Sequence, residues 1–260
     1  MIALDASIAI ARRELVRVLR QPARIVAAIG TPALMWVFFA GGFASLVPDA
    51  SDAAGAPGSA LFLLPGMVTL TATFSAIFSS ISLINDRREG FLQSAIVSPA
   101  PAWAIATGKA LGGSLVAFAQ AGAIVLIAPL LSRDVGAIGI ATALLAALCA
   151  TLAVTGLGMA LAWKVNSVEG FHGVMNLILT PMWLLSGAIF DPSNAPGWLR
   201  TLSLINPLTH VTEAMRDALA GSAPSPIHGA ATLAFGAIGA LFAVVSMARA
   251  SRPGGANNPS

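Results

Sequence analysis

Apolar positions in this chain come in long unbroken runs, without the alternation of a half-buried strand or the single stripe of a surface helix. A helix needs about 20 mostly apolar residues to cross a bilayer. Six stretches reach that length: Ile25–Val47, Ala60–Ile84, Gly108–Leu131, Ala137–Trp163, Val168–Phe190 and Ile227–Ala248. The pattern predicts an all-α integral membrane protein with six transmembrane helices over residues 25–248. Ahead of them, Arg13, Arg17, Arg20 and Arg24 recur on one side of a helix, with Ile8, Ala11, Leu15, Val18 and Leu19 on the other. Residues 1–24 thus read as a basic amphipathic helix lying in the interface on anionic membrane lipid. Its arginines run up to a full-length span, which is not the pattern of a cleaved signal peptide.

The polar segments between the runs carry their own signals. Residues 85–107 form a loop that opens with Asp86, Arg87, Arg88, Glu89 and Gly90, then places Phe91, Leu92, Ala95 and Ile96 on one helical face. Pro99 and Pro101 stop that short helix, because proline lacks an amide donor and restricts its predecessor. Such a segment is either a charged turn at the headgroups or a surface that docks a soluble partner. Residues 191–221 contain Asp191-Pro192 and Asn206-Pro207, each a capping residue before a proline. Leu208, Val211, Met215 and Leu219 then form an apolar stripe that Gly221 terminates, which predicts short external re-entrant helices between spans five and six. Pro48–Ser59 reads as an external turn and residues 249–260 as a flexible tail.

Composition narrows the class. With 57% hydrophobic and 10% charged residues and a mean hydropathy of +0.83, the chain has too little charge to cover a soluble surface. The pI near 10.0 invites a nucleic-acid reading. Along a six-span path, however, Arg12, Arg13, Arg17, Arg20, Arg24, Arg87, Arg88, Lys109, Lys164, Arg249 and Arg252 fall on one side, and only Arg133, Arg200 and Arg216 on the other. That asymmetry predicts both termini in the cytoplasm, and no nucleic-acid partner is needed to explain it. A lone Cys149 gives no disulfide or cysteine metal cluster, and His172, His210 and His228 have no ligand spacing. Gly108-Lys109 is followed by Ala110 and preceded by Trp103 where a phosphate loop needs its first glycine, so there is no Walker loop here. Ser186-Gly187 with His172 or His210 invites an intramembrane hydrolase, but Leu184 stands where the flanking glycine should be.

Two groups of polar residues fall inside spans. Thr71, Ser75, Ser79 and Ser82 share a stripe on the second, near Thr69, Thr73 and Ser80. Hydroxyls there bond back to their own helix or bridge helices, or else border a polar pathway. The fifth span holds His172, Asn176 and Pro181, and polar groups at membrane depth are expected to face protein or water.

These residues together carry a resemblance. Asp86-Arg87-Arg88-Glu89-Gly90, then Val97-Ser98-Pro99 and Gly108-Lys109, is similar to the charged loop of type-2 ATP-binding-cassette (ABC) transporter permeases of bacterial drug, polysaccharide and lipid exporters. Leu185-Ser186-Gly187, Pro196-Gly197-Trp198-Leu199, Asn206-Pro207-Leu208-Thr209 and Glu213-Ala214-Met215-Arg216 resemble that family's fifth span and external helices. Departures are Asp86 where Glu is commoner, Phe91 for the usual Thr, and Gln93 for an acidic residue. The resemblance implies a six-helix permease in a bacterial inner membrane, paired with a second copy or a related permease. Two cytoplasmic ATPase subunits that bind ATP and Mg would dock on Asp86–Leu92. It implies that the second and fifth spans line the route, with Thr71, Ser75, Ser79, Asn176 and His172 as candidates, for a hydrophobic drug, lipid or lipid-linked glycan. The rival expectation is an ATP-independent carrier or channel, which calls for ionisable residues well inside a span, and the predicted spans contain none.

Overall fold

The computed structural model describes residues 2–46, 59–90 and 101–250, and these form helices with no strand among them. In chain order they are α1 (Ile2–Leu19), α2 (Pro22–Leu46), α3 (Ser59–Arg88), α4 (Ala102–Val125), the single turn α5 (Ala128–Leu131), α6 (Ala137–Ala162), α7 (Val168–Leu184), a 3₁₀ turn (Pro192–Asn194), α8 (Gly197–Ile205), α9 (Pro207–Leu219) and α10 (Pro226–Ala250). Five stretches are long and apolar enough to cross a membrane: Pro22–Gly41, Ala60–Arg88, Trp103–Leu131, Ala137–Ala162 and Pro226–Val245. The protein is a multi-pass membrane protein.

Two expectations change. The stretch Val168–Phe190, read as the fifth full span, is helical only from Val168 to Leu184, a length of 17 residues. Pro181 lies in the last turn of α7, and Gly187 beyond it takes φ +76°, a left-handed conformation that turns the chain away. The loop expected at 85–107 is shorter at both ends, because α3 continues to Arg88 and α4 begins at Ala102. The surface helix expected at Arg88–Val97 lies mostly outside the described residues, as do most of Pro48–Ser59 and the tail.

Small residues set the packing. A Cβ on Gly156 of α6 would lie 1.9 Å from the carbonyl oxygen of Gly239 on α10, and one on Gly239 would lie 2.2 Å from Ala153 Cα. On the other side of the bundle, Gly108 and Gly112 of α4 let α1 lie directly on them, with virtual Cβ positions 2.6 Å from the Ser7 oxygen and 2.8 Å from Glu14 Cβ. In lipid the helices gain no hydrophobic energy by associating, so close backbone approach through small residues supplies the contact. The apolar core runs between α3, α4 and α6 and is completed by Val211, Met215 and Leu219 of α9. Helix α9 is therefore a buried element of the bundle. Its fully buried residues include Leu208, Val211, Thr212 and Met215.

Helix α1 is turned differently from its sequence pattern. Ser7, Glu14 and Val18 are buried against the bundle, while Leu4, Ile8, Val16 and Leu19 are exposed. The side carrying Ser7, Ala11, Glu14 and Val18 faces protein, and Leu4, Ile8, Val16 and Leu19 face away from it.

Gly156→Leu should separate α6 from α10 and lower the yield of monodisperse protein on size exclusion severalfold. Gly229→Leu, where a new Cβ meets no atom within 4 Å, should leave the yield unchanged.

Candidate functional site

At the end of the bundle that carries α1, three helices meet around a cluster of charges. Lys109 of α4 is 1% exposed, Asp86 of α3 is 0% and Glu14 of α1 is 4%. The Lys109 ammonium donates to Glu14 Oε1 at 2.8 Å and, in a very short contact, to Asp86 Oδ2. Asp86 also accepts both Nη groups of Arg13 at 3.1 and 3.2 Å, and Arg17 Nη1 at 2.9 Å. Ser82 receives Arg17 at 2.8 Å and donates to Glu14 Oε2 at 2.9 Å. Glu89 lies 3.7 Å from Arg17, so three carboxylates balance three cations. Burying a charge costs several kcal/mol, and only full mutual pairing offsets it. Every carboxylate oxygen of Glu14 and Asp86 has such a partner.

Sequence spacing placed Asp86 in the charged loop and Lys109 at the edge of the third span. Both are buried near the α1 end of helices long and apolar enough to span, Asp86 in Ala60–Arg88 and Lys109 in Trp103–Leu131. Gly108-Lys109 thereby acquires a physical role: the glycine admits α1, and the lysine pairs with the carboxylate α1 brings.

The remaining residues expected to couple to an ATPase divide sharply. Arg87 donates to Trp163 O at 3.0 Å, Val165 O at 2.8 Å and Asn166 Oδ1 at 2.8 Å, satisfying carbonyls left open where α6 ends. Arg88 donates to Asn166 O at 2.8 Å. Asp86 is consumed by the charge cluster. Glu89, with a side chain 62% exposed, faces outward at the start of the connection to α4, followed by half-buried Gly90 at φ +76°. Phe91 and Leu92 lie outside the described residues.

The hydroxyl stripe expected along a pathway is turned into the subunit. Thr71, Ser75 and Ser79 are all buried, at 0%, 2% and 4%. Ser79 donates to Gly113 O of α4 at 3.4 Å, and a Cβ on Gly113 would press tightly on the Ser79 side chain at 3.0 Å. The open side of the bundle lies between α2, α3 and α7. There Asn176 and Thr180 are exposed, and His172 packs edge-on to Phe78 with ring centres 6.3 Å apart. Asn176 and Thr180 join Met35, Thr73, Phe74, Ile77 and Trp183 around a cavity of about 110 Å³. Of the residues that sequence spacing singled out on α7, Asn176 borders the cavity and His172 does not, while Phe74 and Thr180 border it without having been singled out.

At the opposite end of α3 a second polar latch holds the turn after α7. Arg216 donates to Gly187 O at 2.6 Å, pairs with Glu213 in a very short contact, and stacks over the Phe62 ring at 4.0 Å. Burial pushes the Glu213 carboxyl above its ordinary range, and Arg216 opposes that shift. Asn206 caps α9 by accepting from Leu208 N at 3.2 Å, and its amide donates to Met182 O at 2.6 Å. Thr209 donates to Leu185 O at 3.1 Å. The last carbonyls of α7 are thus satisfied by side chains of α9.

Two measurements check these assignments. Lys109→Met should cost about 3–5 kcal/mol by leaving two buried carboxylates under-compensated, seen as lost folded protein. Adding Glu14→Gln should restore part of it, and a double mutant as poor as the single would show that the pair is not coupled. Ser75→Trp should overpack the interior by about 1–3 kcal/mol and reduce yield, whereas Asn176→Trp should not. Full yield of Ser75→Trp would place that face at an open surface.

Comparison with known proteins agrees with this architecture. Residues 6–220 match the family model described as ABC-2 type transporter. The chain is 29% identical over 154 residues to a probable multidrug ABC transporter permease, YbhR, of Escherichia coli K12, covering 58% of this chain and 42% of the relative. It is 26% identical over 166 residues to the daunorubicin resistance ABC transporter permease protein DrrB1 of Streptomyces coeruleorubidus, covering 62% of this chain and 58% of the relative. A putative transport permease, ycf38, of Cyanophora paradoxa is 26% identical over 157 residues, with 60% and 54% covered. The chain thus spans less than two thirds of the curated relatives it matches. The family match covers most of the sequence, and with it the charge cluster, the α1–α4 glycine contacts and the α7–α9 latch: this chain belongs to the ABC-2 type transporter family.

Proposed function

We propose that this chain is the permease subunit of an ABC exporter in a bacterial inner membrane, working as a pair of copies with two separate ATPase subunits. The observation that carries this reading is the ABC-2 family match over residues 6–220 in a sequence that lacks a Walker loop. Energy must then come from a partner that binds ATP and Mg. Glu89, exposed beside a buried charge cluster, is the natural place for that partner to push. By the asymmetry of its basic residues, the end carrying α1 faces the cytoplasm.

Helix α7 is the sixth crossing in this reading. It packs along one side only, on Phe171, Met175, Leu179 and Trp183, while Asn176, Leu177 and Thr180 are exposed. A polar amide on an open face at membrane depth is expected to meet protein or water. Pairing with a second copy across this face supplies both and encloses the cavity at Asn176. Its largely apolar walls, with Thr73, Asn176 and Thr180 as the polar groups, suit a hydrophobic drug or a lipid. The names of the two bacterial relatives, which include multidrug and daunorubicin resistance, support export of an apolar compound.

Co-expressed with an ATP-binding-cassette ATPase from its own genome and reconstituted, the protein should raise ATP hydrolysis severalfold over the ATPase alone. Glu89→Arg should abolish that stimulation while the bundle stays folded. Substrate movement undiminished without any ATPase would instead establish the ATP-independent carrier.

A further inference from the structure

A second cavity, unlike the apolar one, opens at the α1 end of the same side of the bundle. It is a cleft of about 320 Å³ between the α1–α2 corner and α3, lined by Arg17, Gln21, Arg24, Phe78, Ile81, Ser82, Asn85 and Glu89. Its charged groups differ in how far they are committed. Arg17 is held by Asp86 and Ser82, and Glu89 stands at the outer edge, paired with Arg17 at 3.7 Å. Arg24 has no carboxylate at ion-pair distance among the described residues. It reaches only the Ser79 hydroxyl at 3.4 Å and the Phe78 ring, whose centre is 5.7 Å from the guanidinium carbon. It is also the third residue of a span, Pro22–Gly41. A half-buried guanidinium at a membrane boundary, flanked by the amides of Gln21 and Asn85, offers a planar fork of donors with no anion to receive them.

The cleft and the apolar cavity follow one another along the same face of α3. Ile81, Phe78 and Ile77 lead from Asn85 toward Phe74 and Leu70, at the three- and four-residue steps that stay on one helical face. Phe74, Phe78 and Ile81 are each only half-buried. From Asn85 to Leu70 the helix rises about 22 Å at 1.5 Å per residue, more than the ~15 Å of hydrocarbon in one leaflet. A polar, cationic head position and an apolar strip as long as an acyl chain therefore share one surface.

We propose that this surface binds an anionic membrane amphiphile: its phosphate sits on Arg24 with Gln21 and Asn85, and its apolar body lies along Phe78 and Phe74 toward the cavity at Asn176. The inference deepens the export reading, because it names the substrate class as a phosphate-bearing lipid-like molecule entering from the leaflet at the α1 end. It rests on that reading only for the word substrate; the binding site stands on the geometry alone.

The test uses the purified full-length permease without an ATPase, so that a failure of the ATPase assay and a failure here are separate results. Native mass spectrometry would follow retention of dioleoyl phosphatidylglycerol, dioleoyl phosphatidylcholine and soluble glycerol 3-phosphate. The wild-type protein should retain phosphatidylglycerol at least tenfold over phosphatidylcholine. Arg24→Gln should abolish that preference, Arg24→Lys should restore most of it, and Phe74→Ala with Phe78→Ala should weaken retention of phosphatidylglycerol at unchanged yield. Equal retention of the two lipids by wild type, or a preference that survives Arg24→Gln, overturns the proposal. Displacement of phosphatidylglycerol by millimolar glycerol 3-phosphate overturns it as well, since the site would then recognise a free phosphate ester and not an amphiphile.

Discussion

The Lys109 ammonium, shut away between the carboxylates of Glu14 and Asp86, constrains more of this structure than any apolar contact does. One carboxylate comes from α1 and the other from the end of α3, so neither helix can leave α4 without stranding a charge in a low-dielectric setting. The demand propagates outward. Helix α1 must lie against α4, which requires Gly108 and Gly112 beneath it. Arg13 and Arg17 must then turn inward to neutralise Asp86, which leaves Leu4, Ile8, Val16 and Leu19 of α1 facing away from the protein. Glu89 and Gly90 follow Asp86 directly beyond the end of α3 at Arg88. A force applied there acts on α1, α3 and α4 as one body.

The other end of α3 is held by a latch of different design. There Arg216 gathers Glu213, the Gly187 carbonyl and the Phe62 ring, while Asn206 and Thr209 close the open carbonyls of α7. Between the two polar ends the helices touch through Gly113, Gly156, Gly158 and Gly239, where backbone meets backbone or a short side chain. The bundle is stitched at its ends and smooth through its middle. Such a design resists splaying yet offers little to oppose sliding of one helix along another.

The sequence makes the places of the five stretches long enough to cross a bilayer plain, because a bilayer demands runs that few other environments tolerate. It also marks the helix starts at Asp191 and Asn206, since a capping side chain acts on its own neighbours. What it hides is anything decided by a distant partner. Asp86 looks like a loop charge and Lys109 like a charge at a span's edge until Glu14, Arg13 and Arg17 arrive from far along the chain to neutralise them. The periodicity of Thr71, Ser75 and Ser79 states that they share a face, but not that α4 covers it. The arginines of α1 are likewise visible as one side of a helix, without any sign of which side the protein takes. Helix α7 ends early because Asn206 and Thr209 accept the task of satisfying its last carbonyls, some 24 residues later in sequence.

That early ending has a consequence for the surrounding bilayer. A 17-residue helix rises about 25 Å, several ångströms short of the ~30 Å of hydrocarbon in an average membrane. In the proposed bundle, α7 stands on the open side, next to longer helices that match full thickness. Lipid beside it must thin, or be replaced there by protein of the same short height, and a second copy presenting its own α7 is such a protein. If two copies pair as proposed, membrane thickness becomes a variable in how tightly they hold together, with thick, ordered bilayers favouring the pair and thin ones relaxing it.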